Sequence, residues 1–149
     1  MQNKFNDVFN LVTNDILKDC VSKIVGEKMI TIKKAEVESI AGPSLNFITD
    51  GIFRISGTAY TQESEVPWSL VLKIIKQAEE EKNNPMHHNY WKREALVNQT
   101  NILNEFADVF YVPQCYKVEE KDNGSIWLWM EEIKLHNQLD WSEEDFAFI

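Results

Sequence analysis

Positive charge is in short supply in this chain. Lysine and arginine number 15 against 24 aspartates and glutamates, giving a net charge of −9 and a pI near 4.8. A surface of that sign argues against binding a nucleic-acid backbone, which needs clustered Lys and Arg. It argues equally against adsorption to anionic lipid. Cysteine is almost missing: Cys20 and Cys115 stand far apart, match no metal-ligand spacing and read as buried thiols of a reducing compartment. The opening M-Q-N-K-F-N lacks the apolar core of a signal peptide, and no uninterrupted apolar run approaches the length of a membrane span. The expected location is therefore the cytoplasm. Internal repeats and low-complexity tracts are also lacking.

What the chain does have is enough apolar material for one core. Its 149 residues amount to one domain, and 44% of them are hydrophobic. The densest run is Trp68–Lys76, W-S-L-V-L-K-I-I-K. It reads as a strand buried on both faces, yet Lys73 is set into its middle. An unpaired ammonium in such a place is costly. Two answers stay open at this point: the side chain snorkels to a wet edge, or an anionic group awaits it.

Around that run the periodicity gives an order of elements. Phe5 to Ile24 carries apolar residues at three- and four-residue steps and predicts an amphipathic helix, with Asn3 as cap and Gly26 as stop. Residues 29–40 and 51–60 alternate and predict strands, separated by the turn Ala41-Gly42-Pro43-Ser44-Leu45-Asn46. Thr61 to Pro67 reads as a polar turn before the lysine strand. Residues 77–89 are polar and read as an exposed loop. The helical period returns over 89–106, with Asn89 as a possible cap. Two strands follow, joined through Lys121-Asp122-Asn123-Gly124, whose Asn-Gly pair signals a hairpin. Trp141 to Ile149 begins like a helix: Ser142 is placed as a cap, with Glu143, Glu144 and Asp145 in the first turn.

Three strands, a helix and two strands, with a lysine on the third strand and a glutamate in the helix, is the order of a kinase small lobe. V-L-K-I at 71–74 supplies the lysine and W-K-R-E-A-L at 91–96 supplies Glu94. The stretches H-H-N-Y-W-K-R-E-A-L, V-P-Q-C-Y-K-V-E-E, G-S-I-W-L-W-M-E-E-I and W-S-E-E-D-F together resemble the aminoglycoside phosphotransferase and choline-kinase-like family, over roughly residues 28–149. The fold class this implies is α+β: a protein-kinase-like small lobe with a five-stranded antiparallel sheet and one packed helix. To it are added the N-terminal amphipathic helix (1–27) and a C-terminal helix stub after the hinge (134–149).

The resemblance implies a nucleotide site. Lys73 would contact the phosphates of ATP, and Glu94 would be its ion-pair partner. The turn at 41–46 would lie over the triphosphate, with Ser44 and Asn46 as donors; a plain turn explains both residues equally well. Met130 to Ile133 would be the hinge, where backbone groups of Glu131 and Ile133 receive the adenine. Phosphoryl transfer also needs a carboxylate facing the acceptor hydroxyl, and an Asn and an Asp that hold magnesium. In this family they come from the large lobe, in an H-x-D-x-x-x-x-N-like loop, and no such loop occurs in these 149 residues. The implied protein is thus a nucleotide-binding small lobe, inactive alone, with the large lobe supplying most of the magnesium site. A fragment, a split protein and a truncated product all fit that description.

Blander readings compete at several positions. His87 and His88 have no carboxylate or cysteine at ligand spacing and read as loop residues. Trp127 and Trp129 read as core packing, and Glu131-Glu132 makes only a weak claim on a cation. As a whole-protein alternative, the chain is a non-catalytic interaction or self-associating module, with Trp141, Phe146, Phe148 and Ile149 as its surface. A regulatory domain whose sheet only resembles a kinase lobe is a third reading. The acceptor class stays open.

Overall fold

The computed structural model describes residue 12 and residues 14–40, 48–100 and 102–134. These form an α+β fold in which an open antiparallel sheet of five strands carries one helix on each face. Helix α1 spans Asn14–Val25; strands β1, β2 and β3 span Thr31–Ser39, Thr49–Tyr60 and Glu65–Ile75. Helix α2 covers Arg93–Gln99, and β4 and β5 cover Cys115–Glu120 and Ile126–Glu131. Spatial order is β1-β2-β3-β5-β4, so the lysine strand is the central one. Among the described residues no helix is long and apolar enough to cross a membrane.

The two faces of β3 divide the molecule. Its even-numbered residues Trp68, Leu70, Leu72 and Ile74 point to α1, where Leu17, Cys20 and Val21 meet Phe53, Ile55, Trp127 and Trp129 in the larger core. Burial there pushes the Cys20 thiol up to about 12, with Asp19 adding to the rise, so Cys20 behaves as a small hydrophobe. The opposite face packs Ile75, Ile126 and Leu128 against Trp91 and Ala95, in and just before α2. The two tryptophans of β5 are core residues, as their alternation predicts. The edge strands β1 and β4 carry charges on exposed positions, among them Lys33, Glu36 and Glu120, which blunts edge-to-edge pairing.

Several boundaries differ from expectation. At its C-terminal end α1 agrees with expectation: it ends at Val25, and Gly26, with φ 81° and its N–H bonded to the Ser22 carbonyl (2.9 Å), is the stop. The expected residues 5–11 of that helix, the Asn3 cap and the stub at 141–149 lie outside the described residues. β3 starts at Glu65, inside the stretch read as a turn. Pro67 is accommodated there because β5 pairs only with residues 70–75, leaving β3 one neighbour at its start.

The helix expected over 89–106 is shorter. α2 occupies Arg93–Gln99, and a separate 3-10 turn covers Ile102–Phe106. Lys92, not Asn89, is the N-cap, and it makes no side-chain cap bond. Thr100 and a spread of asparagines explain the break, since such side chains compete for backbone partners. Thr100 Oγ1 donates to the Val97 carbonyl at 3.2 Å. The polar loop at 77–89 is also more structured than it reads. It contains a 3-10 turn at Glu80–Asn83, and Asn83 Oδ1 accepts from the Trp91 indole at 3.0 Å. The hairpin forms where the Asn-Gly pair puts it. Gly124 takes φ 78°, and Asn123 Oδ1 accepts from the Ser125 N–H and hydroxyl at 3.0 and 2.7 Å.

Candidate functional site

Lys73 stands on the α2 face of the central strand, across from Ile52 on one side and Leu128 on the other. The ammonium emerges at the first turn of α2 and meets Glu94. Nζ donates to Glu94 Oε1 at 2.8 Å and Oε2 at 2.6 Å. The two side chains are 20% and 33% exposed, so the pair sits at a rim rather than in the core. This answers the opening question: the lysine reaches a half-wet edge and is also met by an acid.

Local contacts fix the acid in turn. Ala95, beside Glu94, is buried in the smaller core and sets the helix rotation. Asn98 Nδ2 donates to the Glu94 carbonyl at 2.8 Å. Arg93, the residue before it, donates instead to the carbonyls of His87 (2.8 Å) and His88. Glu94 is thereby left to Lys73. A negative side chain in the first turn also suits the helix dipole.

Stability does not account for this arrangement. A partly exposed ion pair is worth on the order of 1 kcal/mol net. An apolar residue of similar volume at position 73 would serve the sheet as well or better. What the pair does achieve is orientation. A long-stemmed point charge is held at one place, with hydrogens in excess of the two bonds it makes.

The residues expected to form a hinge lie at and just beyond the end of β5. The Glu131 N–H donates to the Gln114 carbonyl at 2.8 Å, and its carboxylate accepts from the Gln114 N–H at 3.0 Å and from the Tyr111 hydroxyl. That hydroxyl's pKa is raised, first by its bond to Glu131. The Glu131 side chain and backbone N–H are therefore both engaged within the structure. Ile133 is 53% exposed just beyond the strand. Ser44 and Asn46 lie outside the described residues.

One residue that sequence reasoning passed over, Arg54, joins this face and meets Glu132, whose claim on a cation read as weak. Arg54 Nε donates to Glu132 Oε1 at 2.5 Å, and its Nη1 donates to Glu38 Oε2 at 3.1 Å. Burial by itself would raise the Glu132 carboxyl. The Ser69 hydroxyl and Arg54 outweigh that and hold it below the usual range. Arg54 is in register with Val71 on β3 and Glu38 on β1, so all three elements converge on one guanidinium. The signal in the sequence was an arginine amid β-branched strand residues; the missing information was cross-strand register.

A cavity of about 940 Å³ opens beside this cluster, with Arg54, Ser69, Glu131 and Glu132 in its wall. Lys73 and Glu94 do not line it. The ion pair and the cavity lie at opposite ends of one stretch of β3. His87 and His88 stack on each other, with ring centres 4.4 Å apart. Among the described residues no three His, Cys, Asp or Glu side chains converge on a metal position.

Leu96, Ile102, Phe106, Val109, Phe110 and Tyr111 are all exposed on and after α2, and Phe106 stacks on Phe110 at 5.7 Å. Compared with known proteins, the chain matches no family model, no curated protein and no solved structure.

Proposed function

We propose that this chain is the nucleotide-binding lobe of an ATP-dependent small-molecule phosphotransferase of the aminoglycoside phosphotransferase-like kind, with Lys73 as the hydrogen-bond donor to the phosphates of ATP and Glu94 as its positioning partner. The observation that carries the reading is the bidentate contact of Glu94 with Lys73 at 2.6 and 2.8 Å on the central strand. The strand order β1-β2-β3-β5-β4, with α2 between β3 and β4, supports it as the order of a kinase small lobe.

In this reading a triphosphate approaches from the rim and takes hydrogen bonds from Lys73. Glu94 keeps the ammonium from folding back along the strand. The hinge backbone at Glu131 and Ile133 receives the base. Among the described residues no three His, Cys, Asp or Glu side chains converge, and no metal position is derived from them. No transfer step is assigned to the lobe, because the 149 residues carry no catalytic loop.

Isothermal titration of ATP into the wild-type chain and into Lys73→Ala tests the reading. A charge-assisted hydrogen bond contributes about 1.5–3 kcal/mol, so Lys73→Ala is expected to weaken binding roughly 10- to 150-fold. Glu94→Gln should lose a smaller share. Equal heats for wild type and Lys73→Ala would refute the lysine's role. The alternative, an interaction module without a nucleotide, rests on the exposed cluster around Phe106 and Phe110. It predicts no ATP heat in either protein.

A further inference from the structure

We propose that the guanidinium plane of Arg54 is the platform on which the flat base of the nucleotide rests. The inference depends on the nucleotide reading and adds to it the residue that selects for a planar ring. Lys73 and the hinge mark the two ends of such a ligand. Leu70 is the β3 residue in register with Glu131. Three residue steps along β3 therefore lead from the level of Glu131 to Lys73, roughly 10 Å at about 3.3 Å per residue. That span suits a nucleoside lying along the strand with its phosphates at Lys73. Between the ends, on the same face, lie Val71 and, directly across on β2, Arg54. The base end of the ligand meets Arg54.

The bonding of Arg54 leaves the right surface free. Its donors to Glu132 and Glu38 are spent in the plane of the guanidinium, where hydrogen bonds are made. The two faces of the plane are not used by these bonds, and such faces stack on aromatic rings. The exposures agree: the Glu132 side chain is 10% exposed, whereas that of Arg54 is 41% exposed. Glu132 is the buried anchor and Arg54 the open plate. The cavity of about 940 Å³ that both residues line provides room for a ring there.

Two other roles for Arg54 make different predictions. A purely structural tie between β1, β2 and the segment after β5 would leave ligand binding unchanged on substitution. A latch covering the base position would bind ligand more tightly once removed. The test titrates ATP, adenosine and inorganic tripolyphosphate into the wild type and into Arg54→Lys, which keeps the charge and loses the plane. ATP and adenosine are expected to weaken about tenfold, the size of a partly desolvated cation–π contact. Tripolyphosphate should bind both proteins equally.

Unchanged or tighter ATP binding by Arg54→Lys, or a parallel loss of tripolyphosphate, would overturn the proposal. On the wild-type chain saturated with ATP, cross-relaxation between the adenine ring protons and the Arg54 Cδ protons is expected; its absence would overturn the proposal without any substitution. Should the wild type bind neither ATP nor tripolyphosphate, the nucleotide reading fails and this one with it. Should the wild type bind both and Arg54→Lys match it, only the role of Arg54 fails.

Discussion

Trp129→Ala is expected to lower the free energy of unfolding by about 3–5 kcal/mol, the range for removing a fully buried aromatic side chain. Trp129 is 0% exposed and lies across from Leu72, itself 0% exposed, in the larger core. Its indole N–H donates to Glu119 Oε2 at 2.7 Å, so the substitution removes a hydrogen bond along with the packing. Glu119 keeps Lys121 at 3.3 Å, which limits the additional cost of losing that donor. Domains of this size are stable by about 5–15 kcal/mol, so such a loss consumes a large fraction. The consequence reaches the other face of the sheet, because Leu128, the next residue along β5, is in register with Lys73. Urea unfolding followed by circular dichroism measures the effect. A loss under about 1 kcal/mol would mean that β5 is not packed as described.

Gly57→Ala is expected to cost about 3 kcal/mol, the upper end of overpacking effects. A Cβ at Gly57 would run into the carbonyl oxygen of Lys34 and come within 3.0 Å of Trp68 Cζ2. The first obstacle is backbone, and it cannot swing aside as a side chain would. It arises from the irregularity in β1 between Ile32 and Lys34, which brings that carbonyl toward β2. The glycine is needed for space rather than for an unusual φ, in contrast to Gly26 and Gly124, whose φ values are 81° and 78°. Unfolding curves of Gly57→Ala within about 0.5 kcal/mol of wild type would contradict the close approach of β1 and β2.

Much of this architecture is legible in the chain because each element announces itself locally. The alternation in G-I-F-R-I-S-G-T-A-Y marks β2, the Asn-Gly pair marks the hairpin, and Gly26 marks the end of α1. The pairing of Lys73 with Glu94 is legible for a different reason. The residues alone leave snorkelling open. It is the resemblance to the kinase small-lobe order, a lysine on the third strand and a glutamate in the following helix, that points to Glu94. The strand itself is buried on one face and only half-buried around Lys73 on the other.

What escapes local reading depends on register or on competition. Arg54 and Glu132 are 78 residues apart in sequence and meet only because β2, β3 and β5 align in one particular register. The length of α2 was overestimated because apolar spacing persists past Gln99, while Thr100 and the neighbouring asparagines offer the backbone other partners. The early start of β3 at Glu65 was hidden by Pro67, whose tolerance depends on β5 stopping at Glu131.

The central claim is that the Lys73 ammonium, steadied by Glu94, is where a polyphosphate docks. Nuclear magnetic resonance of the chain with isotope-labelled lysine side chains reads that group directly. Titration with ATP and with tripolyphosphate is predicted to move the Lys73 ε-resonances saturably, while adenosine alone leaves them in place and Glu94→Gln alters the shift. Lys73 resonances that stay fixed under saturating ATP, with any response confined to surface lysines such as Lys33 and Lys34, would contradict it.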